Sequence, residues 1–196
     1  MDIEIGMGRT ARRAYGLDEV AIVPSRRTRD PDDVDISWEI DAFTFPLPVM
    51  AAAMDAAVSP ATAVEIGKLG GLAVLNLEGL QTRYEDPEPV FDEIGALPDE
   101  KATRRMQELY REPVKDELIV RRIREIKQGG VVAAASLTPQ RVRQYSPLVL
   151  EAELDVLVIQ GTVVSAEHVS TRSEPLNLKE FIAGFDLPVI VGGCAS

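Results

Sequence analysis

The chain has 196 residues, 45% of them hydrophobic and 27% charged, enough for one sizeable folded core. Lys and Arg number 21 against 32 Asp and Glu, a formal charge of −11 that excludes electrostatic partnership with nucleic acid or an anionic membrane surface. One cysteine, Cys194, and one histidine, His168, exclude an internal disulfide, an all-cysteine metal site and a His-rich metal centre.

The N-terminus is acidic and lacks a basic-then-apolar signal pattern, and no apolar run reaches the roughly 18 residues of a membrane span. The expected compartment is a reducing cytoplasm. Residues 17–24 and 34–40 read as two edge strands; in the second, Val34, Ile36, Trp38 and Ile40 alternate with polar residues. Residues 1–47 are therefore expected to form an N-terminal β extension. From residue 48 the pattern changes. Residues 49–54 are a continuous apolar run, as in a strand covered on both faces.

Pro60 opens a helix whose apolar side is read as Ala61, Val64, Ile66 and Leu69, ended by Gly70-Gly71. Residues 72–77 follow as a second buried strand. Residues 85–100 hold seven acidic residues and no basic one, divided by Pro87, Pro89 and Pro98. They read as a solvated, short-helical insertion within 80–112, not a cation site. Pro113 starts the strongest helix, with Ile119, Ile123 and Ile126 at helical spacing and Gly129-Gly130 after its end. Residues 131–136 form a third strand, and Thr138 with Pro139 looks like the cap of another helix. A fourth strand at 155–160, a helix at 178–182 and a fifth strand at 188–193 complete the alternation.

Repeated strand and helix predict a parallel sheet with right-handed crossovers. The expected fold class is α/β, an incomplete (β/α)8 TIM barrel over 48–196 with about five of eight strands; the chain reads as truncated after its fifth strand. The strands should neighbour one another in sequential order, whereas a doubly wound sheet would reverse.

Binding residues in such a sheet belong at the carboxyl ends of the strands. Those ends are Ala52 to Asp55, Asn76 to Gly79, Ser136, Gln160 to Thr162, and Gly192 to Cys194. Small residues dominate, so a flat ligand can approach the backbone. Met54 offers either a polarizable face for a purine or nicotinamide ring or simple core filling. Asp55 reads first as a helix cap or ion-pair partner. His168 reads as a surface residue, and Cys194 as a small buried thiol ahead of a nucleophile. No G-x-G-x-x-G follows the first strand.

Three blocks carry a family resemblance: Leu17-Asp18-Glu19-Val20-Ala21-Ile22-Val23-Pro24, Pro48-Val49-Met50-Ala51-Ala52-Ala53-Met54-Asp55, and Gly70-Gly71-Leu72-Ala73-Val74-Leu75. With the strand ending at Gln160 and the run from Pro188 to Cys194, they resemble the inosine-monophosphate dehydrogenase / guanosine-monophosphate reductase family. The similarity is greatest to a dehydrogenase-related paralogue that lacks the regulatory CBS pair, whose place the segment 80–112 takes.

The resemblance implies that a cysteine thiolate attacks C2 of IMP, hydride passes to NAD and hydrolysis releases xanthosine monophosphate, a step of GMP biosynthesis. It implies K+ as a further cofactor, a homotetramer, Ala52 and Met54 as substrate-binding residues, and Gln160, Gly161, Thr162 and Cys194 at the cofactor. No catalytic residue is expected in this chain, since the family nucleophile lies beyond a sixth strand, and the chain alone is expected to be inactive. The sequence departs from the family at Ala52 (serine), at Gln160 (aspartate) with Gly161 and Thr162 (serines), and at Cys194 (asparagine). The alternatives are the reverse-direction chemistry, NADPH-dependent reduction of GMP, and a non-catalytic nucleotide-binding paralogue.

Overall fold

A computed structural model describes residues 2–24, 26–161, 167–168 and 176–193. The chain divides into two compact units, Met1–Asp35 and Ile36–Ser196. In the first, β1 (Asp2–Gly6) pairs antiparallel with β2 (Arg9–Arg12). The strand expected at 17–24 is instead a 3-10 turn, Leu17–Glu19, followed by irregular chain. The cause is local. The Glu19 carboxylate accepts from the Gly16 amide (3.0 Å) and from Arg13 (2.9 Å), closing the turn before an extended segment can begin. The same two donors, the Gly16 amide first, hold the Glu19 carboxyl below the usual carboxylate range.

The second unit opens with the hairpin β3 (Trp38–Ile40) and β4 (Phe43–Phe45). Five parallel strands follow: β5 (Met50–Ala51), β6 (Leu72–Asn76), β7 (Ala134–Leu137), β8 (Val156–Gln160) and β11 (Val189–Gly192). Their order, β5-β6-β7-β8-β11, is sequential without reversal, as in a (β/α)8 barrel and unlike a doubly wound sheet. A separate antiparallel pair, β9 (Glu167–His168) and β10 (Leu176–Asn177), falls between β8 and β11 in sequence.

Alternation along the strands explains why their runs are apolar throughout. Leu72, Val74, Ala134, Val156 and Val158 point to one face, where Phe45 and the stacked Trp38 ring (centroids 4.6 Å apart) cover them. The Trp38 indole also donates to the Leu47 carbonyl at 2.8 Å. Ala73, Leu75, Ala135, Leu157 and Ile159 point to the opposite face, into the helical layer.

That layer contains α1 (Pro60–Lys68), α4 (Asp116–Gln128), α5 (Val142–Glu151) and the short α6 (Leu178–Ile182). In α1 the buried side is Ala63 with the flanking Val64 and Ile66; Ala61 and Leu69 face outward, contrary to expectation. Gly70 ends the helix at φ +93°, a conformation that favours glycine, and its carbonyl accepts from Leu47. Helix α5 starts at Val142 and not at Pro139, because the Thr138 carbonyl first closes a turn onto Arg141 and Val142. The acidic insertion folds as α2 (Glu88–Gly95) and α3 (Asp99–Leu109). No helix among the described residues is long and apolar enough to cross a membrane.

Helix α4 buries three isoleucines in the core: Ile119, Ile123 and Ile126 are each 0% exposed. Ile123→Ala should cost about 2–5 kcal/mol, the range for a large core aliphatic truncated against the sheet. Denaturant titration checks this; a change within about 0.5 kcal/mol, as at a surface position, would show that α4 does not anchor the core.

Candidate functional site at the carboxyl ends of the strands

The parallel register brings the strand ends together in rows. Asn76 stands opposite Ser136, and Ser136 opposite Val158; one step further, Gln160 stands opposite Gly192. Apolar Val74 and Ala134 are succeeded on the same face by polar Asn76 and Ser136, and Val156 by Val158 and then Gln160, so polarity begins where the strands end. Ala52 is exposed, Met54 is 56% exposed, Gln160 is exposed and Gly161 is half-buried. Gly161 is tied to β11 through its amide to the Gly192 carbonyl (3.1 Å) and its carbonyl from the Gly193 amide (3.3 Å). Met54 is held at its backbone, donating to Ala52 and accepting from Ala57 and Val58. Thr162 and Cys194 lie outside the described residues, as does the side chain of His168.

Among the described residues Asp55 neither caps a helix nor pairs with a cation. Ser59 caps α1, accepting from the Thr62 amide at 3.2 Å. Asp55 instead accepts three neutral donors: the Leu80 amide at 2.8 Å, the Asn76 side-chain amide at 3.4 Å and the Tyr110 hydroxyl. Gly79 makes this possible, since a Cβ there would fall 1.8 Å from an Asp55 carboxylate oxygen.

Neighbouring groups extend the network. The Asn76 side-chain carbonyl accepts from the Glu78 amide (3.0 Å), and the Glu78 carboxylate accepts from the Thr138 amide (2.6 Å), joining the ends of β6 and β7. Arg83 donates to the Glu78 and Glu112 carbonyls, and its guanidinium lies 5.4 Å from the Tyr110 ring centre. Burial first, then the hydrogen bond to Asp55, raises the Tyr110 phenol above its ordinary pKa.

The structure therefore gathers Ala52, Met54, Gln160 and Gly161 on the carboxyl-end side of one sheet. It also adds Asn76, Glu78, Arg83 and Tyr110, to which sequence reasoning gave no role. Asn76 and Glu78 were visible as strand-end positions. Tyr110 carried no local signal, because its partner lies 55 positions away. Among the described residues no group of three or more His, Cys, Asp or Glu is placed to hold a metal ion.

Two predictions concern the Asp55 cluster. Spectrophotometric titration should show a late tyrosine phase that Tyr110→Phe removes. Because the folded-state pKa is raised, this contribution to stability is present below pH about 10 and is lost as pH rises further. A titration identical in the variant would refute the contact. Gly79→Ala should cost about 1–3 kcal/mol by overpacking, and clearly less in an Asp55→Ala background. A double-mutant cycle read by denaturant melts measures the coupling, and additive costs would refute it.

The sequence model of the IMP dehydrogenase / GMP reductase domain matches residues 14–196. An uncharacterized oxidoreductase of Mycobacterium tuberculosis is 47% identical over 196 residues, covering 97% of this chain and 52% of the relative. One from Mycobacterium leprae is 46% identical with the same coverage. Inosine-5'-monophosphate dehydrogenase of Methanocaldococcus jannaschii is 33% identical over 66 residues, 34% of this chain and 13% of that protein. Among solved structures, an IMP dehydrogenase/GMP reductase-like protein from Corynebacterium glutamicum superposes with a TM-score of 0.89 at 47% identity, covering 98% of this chain and 52% of that one. The chain thus spans about half the length of the curated relatives it matches.

Proposed function

The chain belongs to the IMP dehydrogenase / GMP reductase family, and from that membership and the strand-end geometry we propose that it forms part of an oxidoreductase that oxidises IMP to XMP with NAD. The proposal concerns the polypeptide at the length of its relatives. The observation that carries it is Met54, a polarizable thioether standing 56% exposed three residues after β5 among small residues. A purine ring laid against Met54 gains dispersion without competing hydrogen bonds. Ala52, two residues before it, leaves room for the nucleotide.

Gln160 and Gly161 suit a nicotinamide nucleotide: an exposed neutral amide able to donate and accept, beside a residue with no side chain. NAD, when bound, supplies the hydride acceptor. In the proposed reaction a cysteine thiolate bonds to C2 of IMP, the hydride at C2 leaves, and water then displaces the sulfur to give XMP. That thiolate is assigned to a segment outside these 196 residues.

The test uses a polypeptide of the relatives' length carrying this sequence. NADH should form with IMP, and Met54→Ala should weaken IMP binding by on the order of 1–2 kcal/mol. NADPH loss with GMP alone would overturn the direction. IMP binding without turnover would assign a non-catalytic nucleotide-binding role, and Met54→Ala lowering stability while leaving IMP affinity unchanged would return Met54 to core filling.

A further inference from the structure

Met54 stands between two anchored neighbours. Ala53 packs against the cluster that contains Phe45 and Val74, and Asp55 is half-buried under its three donors. Met54 is the exposed member of the three. What it offers a ligand therefore depends on how firmly the backbone beneath it is held, and Asp55 is the adjoining grip.

Two of the Asp55 donors, the Asn76 side-chain amide and the Leu80 amide, belong to β6 and the turn after it. The third, the Tyr110 hydroxyl, comes from the residue that closes α3, 55 positions away. Tyr110 is 38% exposed, so core burial does not account for its placement. The chain on both sides of it is braced. The Leu109 carbonyl accepts from the Tyr84 hydroxyl at 3.0 Å, and the Glu112 carbonyl accepts from Arg83, whose guanidinium also lies over the Tyr110 ring. A donor delivered from a fixed backbone is how a supporting shell holds a binding group in place. The ion pairs further out, Arg105 with Glu93 and Glu108, are exposed and do not reach Asp55.

We infer that Tyr110 is a positioning residue for the purine subsite: its hydroxyl, closing the third hydrogen bond on Asp55, keeps the loop under Met54 ordered before substrate arrives. The inference rests on the proposed placement of the purine against Met54. A loop ordered in advance spares binding the entropy of ordering it, so Tyr110 contributes to IMP affinity through Asp55 and Met54 without touching IMP.

The test uses the polypeptide of the relatives' length with isotope-labelled methionine methyls. Tyr110→Phe should shift or broaden the Met54 methyl resonance, which is identified by its loss in Met54→Ala. It should also weaken IMP binding about three- to tenfold, the ordering cost of one side chain, with KM rising and kcat held. In a Met54→Ala background the same change should alter IMP affinity by less than about twofold. Arg105→Gln, which breaks the outer ion pairs, should leave the Met54 resonance and IMP affinity unchanged. An unmoved Met54 resonance in Tyr110→Phe, an equal loss of affinity in both backgrounds, a fall in kcat at saturating IMP, or the same shift in Arg105→Gln would each overturn the inference. Met54→Ala alone leaving IMP affinity unchanged would overturn the substrate reading and this role with it; that failure is distinguished by a Met54 resonance that still responds to Tyr110→Phe.

Discussion

One carboxylate sets the geometry of the strand-end face. Asp55 follows Met54 directly, and its oxygens accept from the loop after β6, from the end of β6 itself and from the residue that closes α3. All three donors are neutral, so among the described residues the carboxylate is satisfied by hydrogen bonds and not by an ion pair. The position of Met54, the absence of a side chain at Gly79 and the docking of the insertion all follow from satisfying this group. An ion pair would have satisfied Asp55 from one direction; neutral donors on three separate segments tie them together.

The acidic insertion is thereby built into the fold instead of hanging from it. Its outer ion pairs, such as Arg105 with Glu93 and Glu108, are solvent-exposed and contribute little. Arg122 behaves differently. Buried on α4, it donates to the carbonyls of Gln81, Tyr84 and Glu85, replacing the water that an irregular turn would otherwise need. A lysine would present a point charge where a planar fork now meets three carbonyls and the Glu125 carboxylate. The insertion is held by this buried cation on one side and by Tyr110 on the other.

The parallel sheet was legible because its strands are apolar on both faces and because glycine and proline punctuate each unit. Gly70-Gly71 and the isoleucines of α4 behave as their spacing implies. Sequence reasoning failed where a local interaction outcompeted pattern. Residues 17–24 have strand composition, yet Glu19 folds back onto Gly16. Ala61 and Leu69 look like a helix face, but the sheet takes Ala63 and its neighbours, since the orientation of α1 is set by Ser59 and Gly70. Within the site, Met54 and Gln160 were readable as strand ends, whereas Tyr110 and Arg83 gain meaning only when α3 is brought back onto β6. No periodicity encodes a contact of that sequence separation.

The sequential strand order bears on how the chain assembles. Each new strand of the parallel sheet pairs with the strand of that sheet made just before it, so every ladder from β5 to β11 closes one loop and none waits for a distant partner. Loop-closure cost grows only slowly with length, so the longer connection through the acidic insertion adds a modest entropic penalty to the β6–β7 step. Assembly can then advance in the direction of synthesis, with the β3–β4 hairpin already present to shield the first inward-facing side chains. A nascent chain of this topology exposes the newest edge of its sheet beside the standing β5 edge, so its vulnerability to aggregation lies at one fixed strand and one moving one.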